Sequence, residues 1–179
     1  MSVYQVLDEQ AAAIEPGSDG LVVRDDWQGN RSPYKDPHAR GVISGLTLSH
    51  GPGHIFRALY EATACGTRHI LDDAAKHGLD VARIFVGGGG AKSALWLQIH
   101  ADVLQRPIHL TRETESCALG AAMAAAVRAG IYPDFDSAAR AMVAIETVVE
   151  PVETNSQVYD NLFDEYVNLY ESMRSLRRR

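Results

Sequence analysis

The sequence is poor in cysteine: Cys65 and Cys117 are the only two among 179 residues, and neither sits in a CxxC pair. A disulfide framework and a cysteine-based zinc site are therefore not expected, and a reducing cytoplasm is the expected compartment. Excess positive charge is also missing. Lys and Arg number 17 against 23 Asp and Glu, for a net charge of −6. A nucleic-acid binder needs a basic face, so no nucleic-acid partner is expected. The three terminal arginines, Arg177 to Arg179, could attract phosphate, but they read more simply as a solubilising helix end that suits the helix dipole. No apolar run approaches the roughly 18 residues of a membrane span. The opening residues, Met1 to Gln5, lack the basic start and apolar stretch of a signal peptide, so no membrane role is expected. Composition itself is that of a soluble globule, with 46% hydrophobic and 22% charged residues. The length suits one domain, or one lobe of a larger enzyme.

Patterning along the chain alternates between helix and strand. Helix is expected from Ser2 to Ile14, ended by the breaker cluster Glu15-Pro16-Gly17-Ser18-Asp19-Gly20. Leu21-Val22-Val23 suits a short strand. A long loop rich in Gly, Pro, Asn and Asp runs from Trp27 to Gly45, with a possible short strand at Val42-Ile43. Ile55, Leu59, Ala62, Gly66 and Ile70 recur near helical spacing, predicting a helix from Pro52 to His77 that Gly78 stops. Val81 to Val86 reads as a strand entering Gly87-Gly88-Gly89-Gly90, with a helix beginning near Ala91 or Ser93 and ending before Pro107. Pro107 to Leu110 suggests another strand, and Glu115 to Ala129 an alanine-rich helix able to pack its backbone close to a neighbour. Asp136 is expected to cap a short helix through Val143. A polar connection around Pro151 leads to a last amphipathic helix carrying Tyr159, Leu162, Phe163, Tyr166, Leu169, Tyr170 and Met173. Such alternation predicts an α/β fold with at least two parallel strands.

The glycine run carries the clearest chemistry. Glycine lets backbone approach a ligand with no Cβ in the way, and a helix start offers unpaired N–H groups and positive dipole character. Together they form an anion site, most naturally for phosphate. The P-loop pattern fails, because Ala91 precedes Lys92-Ser93 and Val86 falls where its first glycine is required. The dinucleotide fingerprint fails too, with Lys92 or Ser93 at its last glycine. A tight turn with no ligand is the competing reading.

Other clusters are weaker. Arg31, within Gly29-Asn30-Arg31-Ser32-Pro33, could donate to a carboxylate or phosphate, but an Arg–Asp brace of the long loop with Asp25, Asp26 or Asp36 is the simpler role. His50 and His54 have i, i+4 spacing, yet Gly51-Pro52-Gly53 between them and the lack of an HExxH glutamate argue against zinc. Cys117, opening a helix, is expected to be a small buried residue at a packing face rather than a reactive thiol.

Taken in order, the motifs resemble the C-terminal domain of the FGGY family of carbohydrate kinases, from about Leu7 to Tyr170. They are Gly29-Asn-Arg-Ser-Pro33, Asp36-Pro37, Ala39-Arg-Gly41, Gly45-Leu-Thr-Leu-Ser-His50, the glycine run with Ala91-Lys-Ser93, Trp96-Leu-Gln-Ile99, Ala101-Asp102 and Glu115-Ser-Cys-Ala-Leu-Gly-Ala-Ala122. The wording is most similar to pentulose kinases of the ribulokinase or xylulokinase type. The resemblance implies an actin-like, ribonuclease-H-like lobe, an incomplete mixed sheet flanked by helices, with residues 1–179 forming one nucleotide-binding domain. It implies ATP and Mg2+ as cofactors, with Gly88, Gly89, Gly90 and Ala91 lining the phosphates through their amides and Ser93 and Ala94 near the adenine. Some relatives carry Asn at the position of Ala94, whose methyl cannot make that bond. The family's general base, most sugar contacts and most Mg2+ ligands belong to an N-terminal lobe that this sequence does not match, and the first hairpin of the C-terminal lobe is not matched either. No catalytic or metal residue is therefore assigned. The chain alone is expected to be inactive and, with an apolar face uncovered, to form a homodimer.

Overall fold

The computed structural model describes residues 2–113 and 115–177; Arg178 and Arg179 lie outside them. The first helix, α1 (Val3–Ala12), starts at a capping box in which the Ser2 hydroxyl accepts from the Gln5 amide and the Gln5 side chain accepts from the Ser2 amide. A turn through Gly17 and Gly20, both at positive φ, leads to β1 (Val22–Arg24). That strand pairs antiparallel with β2 (Val42–Ser44), Val23 facing Ile43. Helix α2 (Pro52–Lys76) has proline in its first turn and a lysine in its last, both favoured there by the unpaired termini and the dipole.

A second sheet forms from β3 (Ile84–Val86), β4 (Ile108–Thr111) and β5 (Ile145–Val149), in that spatial order. Strands β3 and β4 are parallel, and β5 joins β4 antiparallel. Helix α3 (Ala94–Leu104) makes the crossover between β3 and β4. Helices α4 (Ser116–Arg128) and α5 (Phe135–Met142) follow β4, and α6 (Ser156–Arg177) ends the described chain.

Helix α3 serves two cores because it is apolar on most sides. Its Ile99 and Val103 join Leu21, Val23, Ala62, Cys65, Tyr159 and Tyr166 between α2, α6 and β1. Its Leu97, Ala101 and Leu104 pack with Ile108 and, more loosely, with Ile84, Val86, Leu110 and Val149 on the inner face of the second sheet. Asp102, also buried, fastens the entry to α6 by accepting from Val152 N at 2.8 Å and Asn155 Nδ2 at 2.8 Å. Among the described residues, the outer face of the second sheet has no such cover: Phe85 and Val148 flank His109 there, and both are exposed.

Several local expectations need correction. Strand β3 is shorter than Val81–Val86, because its partner β4 begins only at Ile108, opposite Ile84; the carbonyl of Val81 accepts from Arg106 Nη1 instead. Strand β5 stands where only a polar connection was expected, formed by pairing along the free edge of β4. Asp134, not Asp136, caps α5, its Oδ1 accepting from Ser137 N at 2.7 Å. Helix α3 proper starts at Ala94, after a separate 3-10 turn.

Candidate functional site

Strand β3 delivers the chain to the glycine run at its carboxyl end, beside the carboxyl end of β4, where α/β sheets place ligands. The glycines there serve different ends. Gly88 has φ +80 and ψ −156, a region closed to residues with a side chain. A Cβ on Gly89 would meet nothing within 4 Å, so its open side is free for a ligand. A Cβ on Gly90 would stand 3.3 Å from the indole of Trp96, so this glycine makes room for protein rather than for ligand.

From Gly89 to Lys92 the chain winds into a 3-10 turn. The amide of Ala91 donates to Gly88 O and that of Ser93 to Gly90 O. Ser93 then caps α3, its Oγ accepting from Trp96 N at 3.1 Å and its carbonyl from Leu97 N. The amides of Gly89 and Gly90, at the start of the 3-10 turn, and of Ala94 and Leu95, at the start of α3, have no bond of this kind among the described residues. Two successive turn starts thus offer unpaired donors within one short segment, the requirement for holding an anion. Of the predicted amides, that of Ala91 is already engaged within the turn.

Gly87 and Gly88 also line a cleft of about 410 Å³, closed on other sides by Phe85, Val86, Thr111, Glu115, Ser116 and Cys117. Gly89 to Ala94 continue away from it and are not part of its lining. Thr111, Glu115, Ser116 and Cys117 as cleft residues were missed by sequence reasoning. Their signal was available, since they follow the parallel partner of the strand that feeds the glycines. Cys117 corrects an expectation: its thiol is exposed, not buried. The helix carrying it has no buried residue, and a Cβ on Gly120 would meet nothing within 4 Å; α5 packs on one side of α4, and the Gly120 side is left open among the described residues.

On the other side of the turn stands Tyr60 of α2, whose hydroxyl donates to Asp8 Oδ1 at 2.8 Å. Burial, and then the Asp8 bond, push the phenol up to about 12, while the Ser93 side chain nearby opposes the rise. Ala94 is exposed, and its methyl makes no polar contact.

The remaining candidates are not gathered here. Arg31 is exposed and forms no ion pair among the described residues; the long loop is braced by Arg24, whose Nη2 lies 2.7 Å from Asp26 Oδ2, and by Asn30 donating to Asp26 Oδ1. Arg24 is fully buried and lies over the Tyr166 ring, 3.9 Å from its centroid. His54 accepts from Gly51 N at Nδ1, so its Nε2 carries the proton donated to Asp19 Oδ2 at 3.1 Å; His50 Nε2 reaches Asp19 O. Both histidines thus anchor the turn before β1. Buried Glu61 accepts from Gly17 N, Ser18 Oγ and Arg57 Nε at 2.7–2.9 Å. Burial raises its pKa, and Ser18 and Arg57 oppose the rise. That cluster welds α2 to the α1–β1 turn, away from the glycines.

A family model described as the C-terminal domain of the FGGY family of carbohydrate kinases matches residues 2–129. The chain belongs to this family. Ribulokinase of Anoxybacillus flavithermus is 41% identical over 177 residues, which cover 96% of this chain and 31% of that protein. Ribulokinase of Mycolicibacterium smegmatis is 38% identical over 172 residues, with 96% and 31% covered. Among solved structures, xylulose kinase from Rhodospirillum rubrum superposes with a TM-score of 0.86 at 35% identity, over 98% of this chain and 35% of the other. The FGGY domain accordingly has the actin-like, ribonuclease-H-like fold of these sugar kinases. It spans about a third of the length of the relatives it matches.

Proposed function

We propose that this domain is the ATP-binding lobe of a pentulose-type sugar kinase, whose whole protein transfers the γ-phosphate of ATP to a sugar hydroxyl in the cytoplasm. The observation that carries the reading is the pair of consecutive turn starts, with unpaired amides at Gly89, Gly90, Ala94 and Leu95, on a segment that leaves an open cleft at Gly87 and Gly88. Gly88 allows the bend, Gly89 leaves the approach open, and the Ser93 cap holds the start of α3. Phosphoryl transfer is mainly a matter of positioning and charge stabilisation, and the unpaired amides of Gly89 and Gly90 supply both to the diphosphate moiety. Ala91 contributes by closing the 3-10 turn, and Ala94 gives the adenine end a backbone amide and a methyl surface.

ATP supplies the transferred phosphoryl group. For Mg2+ the donors here are too few: Glu115 is the one carboxylate of the cleft, and no group of three possible ligands exists among the described residues. No step is routed through the ion. The sugar contacts and the base that deprotonates the attacking hydroxyl belong, on this reading, to the part of the kinase that this chain does not span. The chain alone then turns over no pentulose.

A second reading, a non-catalytic interaction module, is favoured by the bare α4 face. Calorimetry with ADP separates the two. The kinase reading expects binding that Gly89→Val abolishes while the fold is kept. No binding by the unaltered chain would overturn it.

A further inference from the structure

We infer that Trp96 is the positioning residue of the phosphate-binding turn: its indole, wedged against Gly90 and clamped by His100, sets where the amides of Gly89 and Gly90 point. The inference deepens the nucleotide reading and rests on it for its functional arm. Trp96 is the third residue of α3 and half-buried. Its backbone amide is fixed by the Ser93 Oγ cap. Its ring packs against the second core and sets three atoms of its six-membered ring, Cη2, Cζ3 and Cε3, 3.3–3.4 Å from where a Cβ on Gly90 would stand. A methyl there would be closer than ordinary contact, so the ring and the turn fit together only because residue 90 is glycine.

The indole is also held from within its own helix. His100, one helical turn on, lies against it with ring centroids 3.5 Å apart and planes tilted by 32°. His100 itself is buried, and its Nδ1 is 2.8 Å from Trp96 O. Its ring therefore cannot swing away without breaking a bond inside the protein. A rigid pair, His100 beneath and Trp96 above, thus supports a glycine that lacks any side chain of its own to anchor it. The 3-10 turn has few other restraints: its bonds from Ala91 and Ser93 are long, at 3.3 and 3.2 Å. Donors aimed by such a turn are sensitive to small displacements, and a misplacement of about 1 Å can cost on the order of a hundredfold.

The test uses the 179-residue chain and two variants. Trp96→Leu keeps apolar bulk in the core but removes the ring that reaches Gly90. Gly90→Ala leaves the core untouched and presses a methyl onto the ring. Amide hydrogen exchange, without ligand, reads the turn directly. Both variants should speed exchange at Ala91 and Ser93 by roughly tenfold or more while α2 and α6 stay protected. Unchanged exchange at those two amides overturns the inference whatever happens to nucleotide. In calorimetry both should weaken ADP by on the order of tenfold, and the double variant should lose less than the product of the two single losses. A double loss equal to that product means the two residues act separately and also overturns it. Failure of the unaltered chain to bind ADP sinks the kinase reading instead, and the exchange result still decides whether Trp96 positions the turn.

Discussion

At the scale of single residues, burial decides which side chains are free to take part in acid–base chemistry. His100 is the clearest case. Burial lowers its pKa from 6.5 to about 4, with the Trp96 carbonyl opposing the shift. In the folded chain it stays neutral down to about pH 4, whereas in the unfolded chain it takes up a proton near 6.5. Above pH 6.5 both states are neutral and the group contributes no pH dependence. As pH falls from 6.5 towards 4, the unfolded state binds the extra proton and stability drops, by up to about 3 kcal/mol from this group. Urea unfolding between pH 7.5 and 4.5 should show that acid limb, and His100→Leu should flatten it. An unchanged slope in the variant would mean that His100 is not held neutral.

At the scale of elements, the glycine turn separates stability from binding. Gly88 occupies a backbone region that only glycine populates, so Gly88→Ala should cost about 1–3 kcal/mol of stability. Gly89 has an ordinary backbone and open space beside it. Gly89→Ala should leave the urea midpoint within roughly 0.5 kcal/mol and still weaken ADP, because its methyl stands where phosphate must come. Equal loss of stability in both variants would show that the turn is merely structural. Much of this architecture was legible beforehand. Regular apolar spacing marked α2 and α6, and the strand–glycine–helix succession marked β3 and the turn. Strand β5 was hidden because four of its five residues are exposed, so it lacks the buried alternation by which strands are read, and pairing with β4 alone creates it. In sequence Trp96 is simply one more apolar residue of a helix. Its contact with Gly90 depends on how tightly the 3-10 turn folds back, which no pattern of single residues expresses. Cys117 was misplaced for a related reason: an alanine-rich helix looks buried, and only its surroundings say otherwise.

At the scale of the whole molecule, the main feature is that apolar surface is left uncovered. Helix α4 turns Leu119, Met123, Ala126 and Val127 partly inward, and shows solvent Cys117, Ala118, Gly120, Ala121, Ala122, Ala124 and Ala125. Phe85 and Val148 on the outer sheet face add to it, as do Ile131 and Phe135 near α5, each at least 40% exposed. Monomeric proteins rarely keep a large contiguous patch of this kind. The relatives are about three times as long, and in them more chain is available to cover such a face. The 179-residue chain by itself should bury the patch against a second copy. Light scattering across a concentration series should then show a dimer that dissociates on dilution. Ala121→Glu and Ala125→Glu, four residues apart on the exposed side, place two carboxylates in that surface without touching the side facing α5. Glutamate is nearly as good a helix former as alanine, so the melting temperature of the dilute monomer should hardly move while the dimer is lost. A chain that remains monomeric at high concentration would show that this face needs no cover. Variants that melt early would show instead that α4 depends on contacts across its alanine side even within one chain.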